Sequence, residues 1–406
     1  MKSCFKLAAV ALFASATLAS ADTEIRITGS TAFRSAVHAS LLSGVFSSLE
    51  RYSHSGTSGG LSGASKATFR GTVTGITGTT TIRTSWSGSA TGIQSVAAQS
   101  NVSFLTDATL VAAGQNFSQT TSANQTAHIA MSDVFQNSTS FQTPVLEDTN
   151  VAVVPFVWVV NDSANAENNK LTNITSQQAR ALYTTGSQAL SLFTGVAADT
   201  RTVYVTGRDT GSGTRITALA ETKYGFSTPL THWQITASGG AVTELRIWPT
   251  NAVVPSNGGD TLGGNGGYTS GGTVATALSN SSSSGITLKN AAGSVVSGQT
   301  NASAILVSCI GLSDSATIAA AAVPGKRLAY EGTSFSTIAA DGDKVRNGSY
   351  TMWGYQHLFN KSGLTTDETT ARDALITAIP TNLGTAGISL TSMIVGRGED
   401  GGLVSP

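Results

Sequence analysis

The chain has 406 residues, and its 23 Lys and Arg balance its 23 Asp and Glu, so the formal net charge is zero. Only 11% of residues are charged, which excludes a nucleic-acid binder working through a phosphate-neutralising face and offers nothing to draw the chain to an anionic membrane. The length suggests two domains and is ample for a buried core.

The first residues have the form of a secretory signal: Lys2 and Lys6, an apolar run from Leu7 to Leu18, and the small-x-small site Ala19-Ser20-Ala21. Residues 1–21 are therefore expected to be removed on export. Cys4 precedes the apolar run and is badly placed for lipid attachment. Without the signal, Cys309 is the only cysteine, so the core must hold the fold without an intramolecular disulfide.

Glu24 to Thr28 alternates like a strand. Ser30 then stands where an N-cap would, ahead of Phe33, Val37, Leu41, Val45 and Leu49 in four-residue steps, which predicts a long helix. Residues 53–85 are rich in Gly, Ser and Thr and read as a flexible excursion followed by one or two strands. Ser87 to Gly92 opens a second helix, with Ile93, Val96 and Ala97 on its apolar side.

His128 to Met131 predicts a short strand ending at Ser132-Asp133. The run Val151 to Val160 is apolar on both faces and predicts a buried central strand, too short to span a bilayer. Residues 174–183 read as helix. Val203, Val205 and Thr206 form a β-branched run that stops at Gly207, followed by Arg208, Asp209, Gly211-Ser212-Gly213-Thr214 and a helical spacing of Ile216, Leu219 and Ala220. Residues 257–272 and 279–303 read as polar surface connections. Strands alternating with helices predict an α/β architecture with a parallel or mixed sheet.

Three segments share one design, in which a strand delivers Ser, Thr or Gly to the first turn of a helix: Ser30-Thr31, Ser87 to Gly92, and Gly211 to Thr214. Free N–H groups and the positive end of the helix dipole favour an anion there, and hydroxyls add donors. Each segment alone is equally an ordinary helix cap. Three together, with the Arg208 fork beside one of them, point to a shared oxyanion. The alternative for Arg208 is a surface pair with Asp209, and for Asp133 a turn or cap residue.

Other catalytic patterns fit poorly. Gly56-Thr57-Ser58-Gly59-Gly60 matches G-x-S-x-G but lacks the strand before it and the helix after it that a nucleophile elbow needs. Asp209-Thr210-Gly211-Ser212 resembles an aspartic-protease turn, yet no second D-[ST]-G supplies the partner carboxylate. His38, His54, His128, His232 and His357 are scattered without zinc-ligand spacing. Sequons such as Asn124-Gln125-Thr126 are common by chance in so polar a chain.

The segments "ITGSTAFRSAV" (27–37), "SGSATGIQSV" (87–96), "IAMSD" (129–133), "VAVVPFVWVVN" (151–161), "GRDTGSGTR" (207–215) and "NGSYTMWGYQHL" (347–358) resemble, in this order, the periplasmic phosphate-binding proteins of ABC-type phosphate transporters. The resemblance implies the two-lobed α/β fold of type 2 periplasmic binding proteins, with a hinge and a ligand cleft between the lobes. It implies a first lobe of residues 22–155 and 311–406, with 156–310 as the second. Carried over by position, Ser30, Thr31, Ser89 and Asp133 would face the ligand from the first lobe, and Arg208, Ser212, Gly213 and Thr214 from the second. Asp209 would orient Arg208. The implied function is non-enzymatic capture of inorganic phosphate in the periplasm by a monomer, for delivery to an inner-membrane ABC permease, with no cofactor and no nucleic-acid partner. The polar insertions and the second arginine, Arg34, depart from the family pattern. The rival readings are a surface-attachment protein on the same fold and a secreted hydrolase.

Overall fold

The computed structural model describes residues 22–56, 60–111, 114–249, 263–282, 285–296 and 304–406. The expected signal peptide with Cys4, the centre of the Gly56 to Gly60 motif, and parts of the two late polar connections (257–262, 283–284 and 297–303) lie outside them.

Twelve strands of two to fourteen residues, the long central ones apolar and β-branched, form one mixed sheet. In chain order its strands are β1 (Thr23–Gly29), β2 (Ser48–His54), β3 (Lys66–Thr72), β4 (Thr80–Trp86), β5 (Gly114–Asn116), β6 (Ile129–Ser132), β7 (Glu147–Val160), β8 (Ser187–Ala189), β9 (Thr202–Val205), β10 (Ile305–Gly311), β11 (Lys326–Arg327) and β12 (Trp353–Asn360). Their lateral order is β8-β9-β10-β7-β12-β6-β1-β4-β3-β2-β5, with β11 also paired to β7. Strand β1 runs parallel to both β4 and β6, and β9 runs parallel to β10. The α/β class read from the alternation of elements is the one adopted.

Strand β7 organises the middle of the sheet. Residues 151–160 are buried without exception, as a strand covered on both faces requires. It pairs with β12 from Glu147 to Pro155, and with β10 from Phe156 to Val160. One continuous strand thus joins the group containing β1, β4 and β6 to the group containing β9 and β10. Trp158, Phe156 and Trp353 are completely buried around this crossing.

The one or two strands expected within 53–85 are β3 and β4, full sheet members with every residue of β4 buried, and β3 begins earlier than the expected excursion allowed. The threonines of β4 act as β-branched residues on a buried strand, and Thr84 Oγ1 lies 2.9 Å from His38 Nε2. The long helix after Ser30 is also shorter than its spacing suggests. Helix α1 (Arg34–Ser40) passes into a wider turn at Leu41–Val45, and Leu49 belongs to β2.

The other helices that position the site are α2 (Ser89–Ala97), α3 (Gly213–Glu221), α4 (Gly271–Leu278) and α5 (Leu312–Ala319). The C-terminal segment braces this arrangement. Arg397 stacks 4.0 Å over the Trp353 ring and pairs with Glu221 at the end of α3 at 2.9 Å, while Asp400 accepts from the Phe135 N–H at 2.9 Å. No described helix is long and apolar enough to cross a membrane.

Candidate functional site

In open α/β sheets, ligands gather beyond the carboxyl ends of the parallel strands. Here the loops that follow β1, β4, β6 and β9 meet at that edge. Gly29 ends β1 with a φ of +122°, and a Cβ on it would fall 1.9 Å from the Met131 carbonyl oxygen. Only glycine permits the turn that lets the Ser30 N–H donate to that carbonyl at 2.7 Å. At the end of β6 the Ser132 hydroxyl bonds both the N–H and the carbonyl of Val134, which fixes the turn presenting Asp133.

Asp133 is the centre of the first group. Ser30 Oγ donates to its Oδ2 at 3.1 Å, and Ser89 Oγ donates to its Oδ1. Ser30 is therefore not the helix cap its position suggested, since Phe33 stands at the N-cap of α1 with no side-chain bond. Ser89 opens α2 as expected, behind Gly88. The Asp133 side chain is buried, and that burial raises its pKa from the ordinary carboxylate range. The Ser89 and Ser30 hydrogen bonds and the Arg208 charge oppose the rise.

The second group follows β9. The buried guanidinium of Arg208 donates from Nε to the Tyr268 carbonyl at 3.0 Å, from Nη2 to the Thr269 carbonyl at 2.9 Å, and from Nη1 to Thr31 Oγ1 at 3.1 Å. Asp209, expected to orient this fork, is not among those partners. The orienting groups are carbonyls sixty positions away, on the segment leading into α4, and no residue-type signal in the sequence marks them. Ser212 caps α3, its hydroxyl accepting from the Arg215 N–H at 3.4 Å, and Gly213 and Thr214 follow in the same buried turn.

The two groups touch. A Cβ on Gly213 would lie 1.6 Å from Asp133 Oδ1 and 2.5 Å from Ser89 Oγ, so the carboxylate rests directly on the first turn of α3, at the positive end of its dipole. The Ala90 N–H donates to the Gly211 carbonyl at 3.0 Å, tying the start of α2 to the same loop. All eight residues singled out from the sequence thus fall in one place: Ser30, Ser89 and Gly213 against Asp133, Thr31 on Arg208, and Ser212 and Thr214 beside Gly213. In this arrangement the serine hydroxyls are spent on Asp133.

Two residues at the edge complete the electrostatics. Burial lowers the Arg34 pKa, with Arg208 adding to the fall and Asp314 opposing it. Burial raises the Asp314 pKa, with Arg34 and Arg208 opposing. Along the row Asp133, Arg208, Arg34, Asp314 two bases stand between two acids. Asp314 was not singled out, although Ser313-Asp314 just after the end of β10 repeats the Ser132-Asp133 pattern at the end of β6. Among the described residues no group of three or more His, Cys, Asp or Glu is placed to hold a metal ion.

No family model and no curated protein matches the chain. Solved structures similar to it include an ABC-type phosphate transport receptor from Vibrio cholerae, 15% identical, covering 90% of this chain and 99% of that one at a TM-score of 0.44. PstS from Borrelia burgdorferi is 12% identical, covering 91% and 100% at 0.38. A possible phosphate binding protein from Planctomyces limnophilus DSM 3776 is 10% identical, covering 91% and 95% at 0.41.

Proposed function

We propose that the protein is a two-lobed, exported receptor that binds inorganic phosphate between the loops after β1, β4, β6 and β9, and hands it to an ABC permease. The observation that carries this reading is the buried Asp133 carboxylate set among donors: two serine hydroxyls, the first turn of α3, and Arg208 within electrostatic reach.

Donors of this kind favour any small oxyanion. A carboxylate among them selects further. Phosphate near neutral pH keeps a proton and donates a hydrogen bond through it to Asp133, while the two serine hydroxyls turn from the carboxylate to the guest. Sulfate carries no proton and brings its lone pairs against those of the carboxylate, a mismatch of about 1–3 kcal/mol, or roughly ten- to a hundredfold in affinity. The role of each residue follows from its place. Asp133 accepts, Ser30, Thr31, Ser89, Ser212 and Thr214 donate through hydroxyls, Gly213 donates through its backbone, and Arg208 supplies charge. The division into lobes at 155/156, where β7 changes partner, makes that strand the hinge.

Calorimetric titration of phosphate into protein freed of ligand by unfolding and refolding tests the reading. Binding of one phosphate per chain, resisting a large excess of sulfate, is the expected result. Absence of phosphate binding overturns it.

A further inference from the structure

Helix α1 and the edge of the sheet stand apart over a cavity of about 350 Å³, within the range of small-molecule sites, roughly 300–1,000 Å³. Ser35, His38, Ala39 and Leu42 recur at helical spacing and form one wall, which runs from α1 into the wider turn after it. The sheet forms the other. Tyr52 and His54 alternate onto one face of β2, and the parallel register sets Gln115 of the edge strand β5 beside Tyr52, with Phe117 two positions further on. The rings stand in a row, Tyr52 to His54 at 6.4 Å and His54 to Phe117 at 6.3 Å. Leu42 is 42% exposed and Phe117 48%, so each wall carries apolar surface to the mouth.

Polar groups on these walls are unused. His54 is buried, and its Nδ1 lies 3.0 Å from the Ser55 carbonyl, which can only accept, so in the neutral ring Nδ1 carries the proton. Nε2 is left as an acceptor with no partner among the described residues. The side chains of Tyr52, Gln115, Ser35 and Ser62 make no hydrogen bond among those residues either. His38 differs, since Leu61, Thr84 and Trp86 occupy both its ring nitrogens.

Among the described residues lining the cavity none is Asp, Glu, Lys or Arg. An ion entering it would lose hydration without meeting a counter-charge. A sugar would set some of its hydroxyls against Ala39 and Leu42, where nothing can pair with them. A guest with two apolar faces and a polar rim meets neither penalty.

We propose that this cavity binds a flat, uncharged nitrogen heterocycle of about the size of indole, held between Phe117 on the sheet and Ala39 and Leu42 on the helix, with its ring N–H donating to His54 Nε2. The inference goes beyond the phosphate reading and does not depend on it.

The test is calorimetric titration of the full chain, and of Phe117→Ala and Ala39→Leu, with indole, 1-methylindole and methyl β-D-glucoside. One indole is expected to bind per chain. The methylated compound is the more hydrophobic but cannot donate, and it is expected to bind at least about threefold more weakly, whereas a merely apolar patch would favour it. The glucoside is expected not to bind at the same concentrations. Loss of the Phe117 ring, or filling of the space beside Ala39, is expected to weaken indole at least about fivefold with unchanged circular dichroism. Absence of indole binding, equal or tighter binding of 1-methylindole, a preference for the glucoside, or full indole affinity in both variants each overturns the proposal. None of these results bears on phosphate.

Discussion

Arg208 Nη1 donates to Thr31 Oγ1 at 3.1 Å, joining the loop after β9 to the loop after β1 across 177 positions of the chain. The other two nitrogens of the fork are held by backbone carbonyls, so the guanidinium is aimed before any ligand arrives. Lysine has one charged nitrogen and cannot reach three separated acceptors. Arg208→Lys is expected to weaken phosphate binding by about ten- to a hundredfold with unchanged circular dichroism. Calorimetry checks it, and an unaltered affinity removes Arg208 from the site.

Asp133 sets selectivity by what it refuses. In Asp133→Asn the amide can donate as well as accept, so sulfate no longer meets an uncompensated carboxylate. The ratio of phosphate to sulfate affinity is expected to fall by at least about tenfold, more than phosphate affinity itself falls. Competition titrations with both anions measure the ratio. Equal losses for both contradict the assigned role.

Gly213→Ala separates local preference from the site's geometry. In a helix alanine is favoured over glycine by about 1 kcal/mol, so propensity alone forecasts a more stable protein. The added Cβ would enter the space of Asp133 Oδ1 and Ser89 Oγ, so the carboxylate must leave the first turn of α3. The expected outcome is loss of phosphate affinity by about a hundredfold or more, with no large drop in the melting temperature of the ligand-free protein. Normal affinity in this variant contradicts the contact.

Acid stability reports on α1, which carries the Ser30-Thr31 loop. His38 sits buried on this helix, with Nδ1 2.7 Å from the Leu61 carbonyl and Nε2 accepting from Trp86 Nε1 at 2.9 Å, so it is neutral with its proton on Nδ1. Burial pushes its pKa down to about 3. Between an unfolded value of about 6.5 and that level the unfolded chain binds the extra proton, so stability is complete above about pH 6.5 and falls as pH drops, by up to about 1.4 kcal/mol per unit. His128, pushed down to about 4, adds in the same direction. In urea titrations at several pH values, His38→Gln is expected to lower stability at pH 8 and to reduce the acid slope by about one proton. An unchanged slope contradicts a buried neutral His38.

The parts of the site legible in the sequence are those where one short segment contains both a strand end and its helix start. Ser132-Asp133, Ser89 and Gly211 to Thr214 are of this kind, because periodicity marks the elements and polar residues mark the break between them. Ser30 looks like a cap in the sequence because the acceptor of its hydroxyl lies in a turn about a hundred residues later. The extent of strands β2 and β3 is not legible because Thr, Ser and Gly look alike in loops and in sheets, and neighbours such as Phe69 stacked on Tyr52 at 5.9 Å decide which they become. The carbonyls that aim Arg208 carry no side-chain signature at all. Asp314 does carry one, a second Ser-Asp after a buried strand, and its place beside Arg34 on the wall of one cavity appears only in three dimensions.

The central claim is that remote loops enclose one small oxyanion. A crystal structure of the ligand-freed protein crystallised with phosphate tests it most directly. The account predicts tetrahedral density within hydrogen-bond distance of Asp133, Arg208, Thr31 and the first turn of α3, with the Ser30 and Ser89 hydroxyls turned from the carboxylate to the guest. Phosphate bound elsewhere, or a crystal grown in millimolar phosphate with those loops closed on one another as in the free protein, contradicts it.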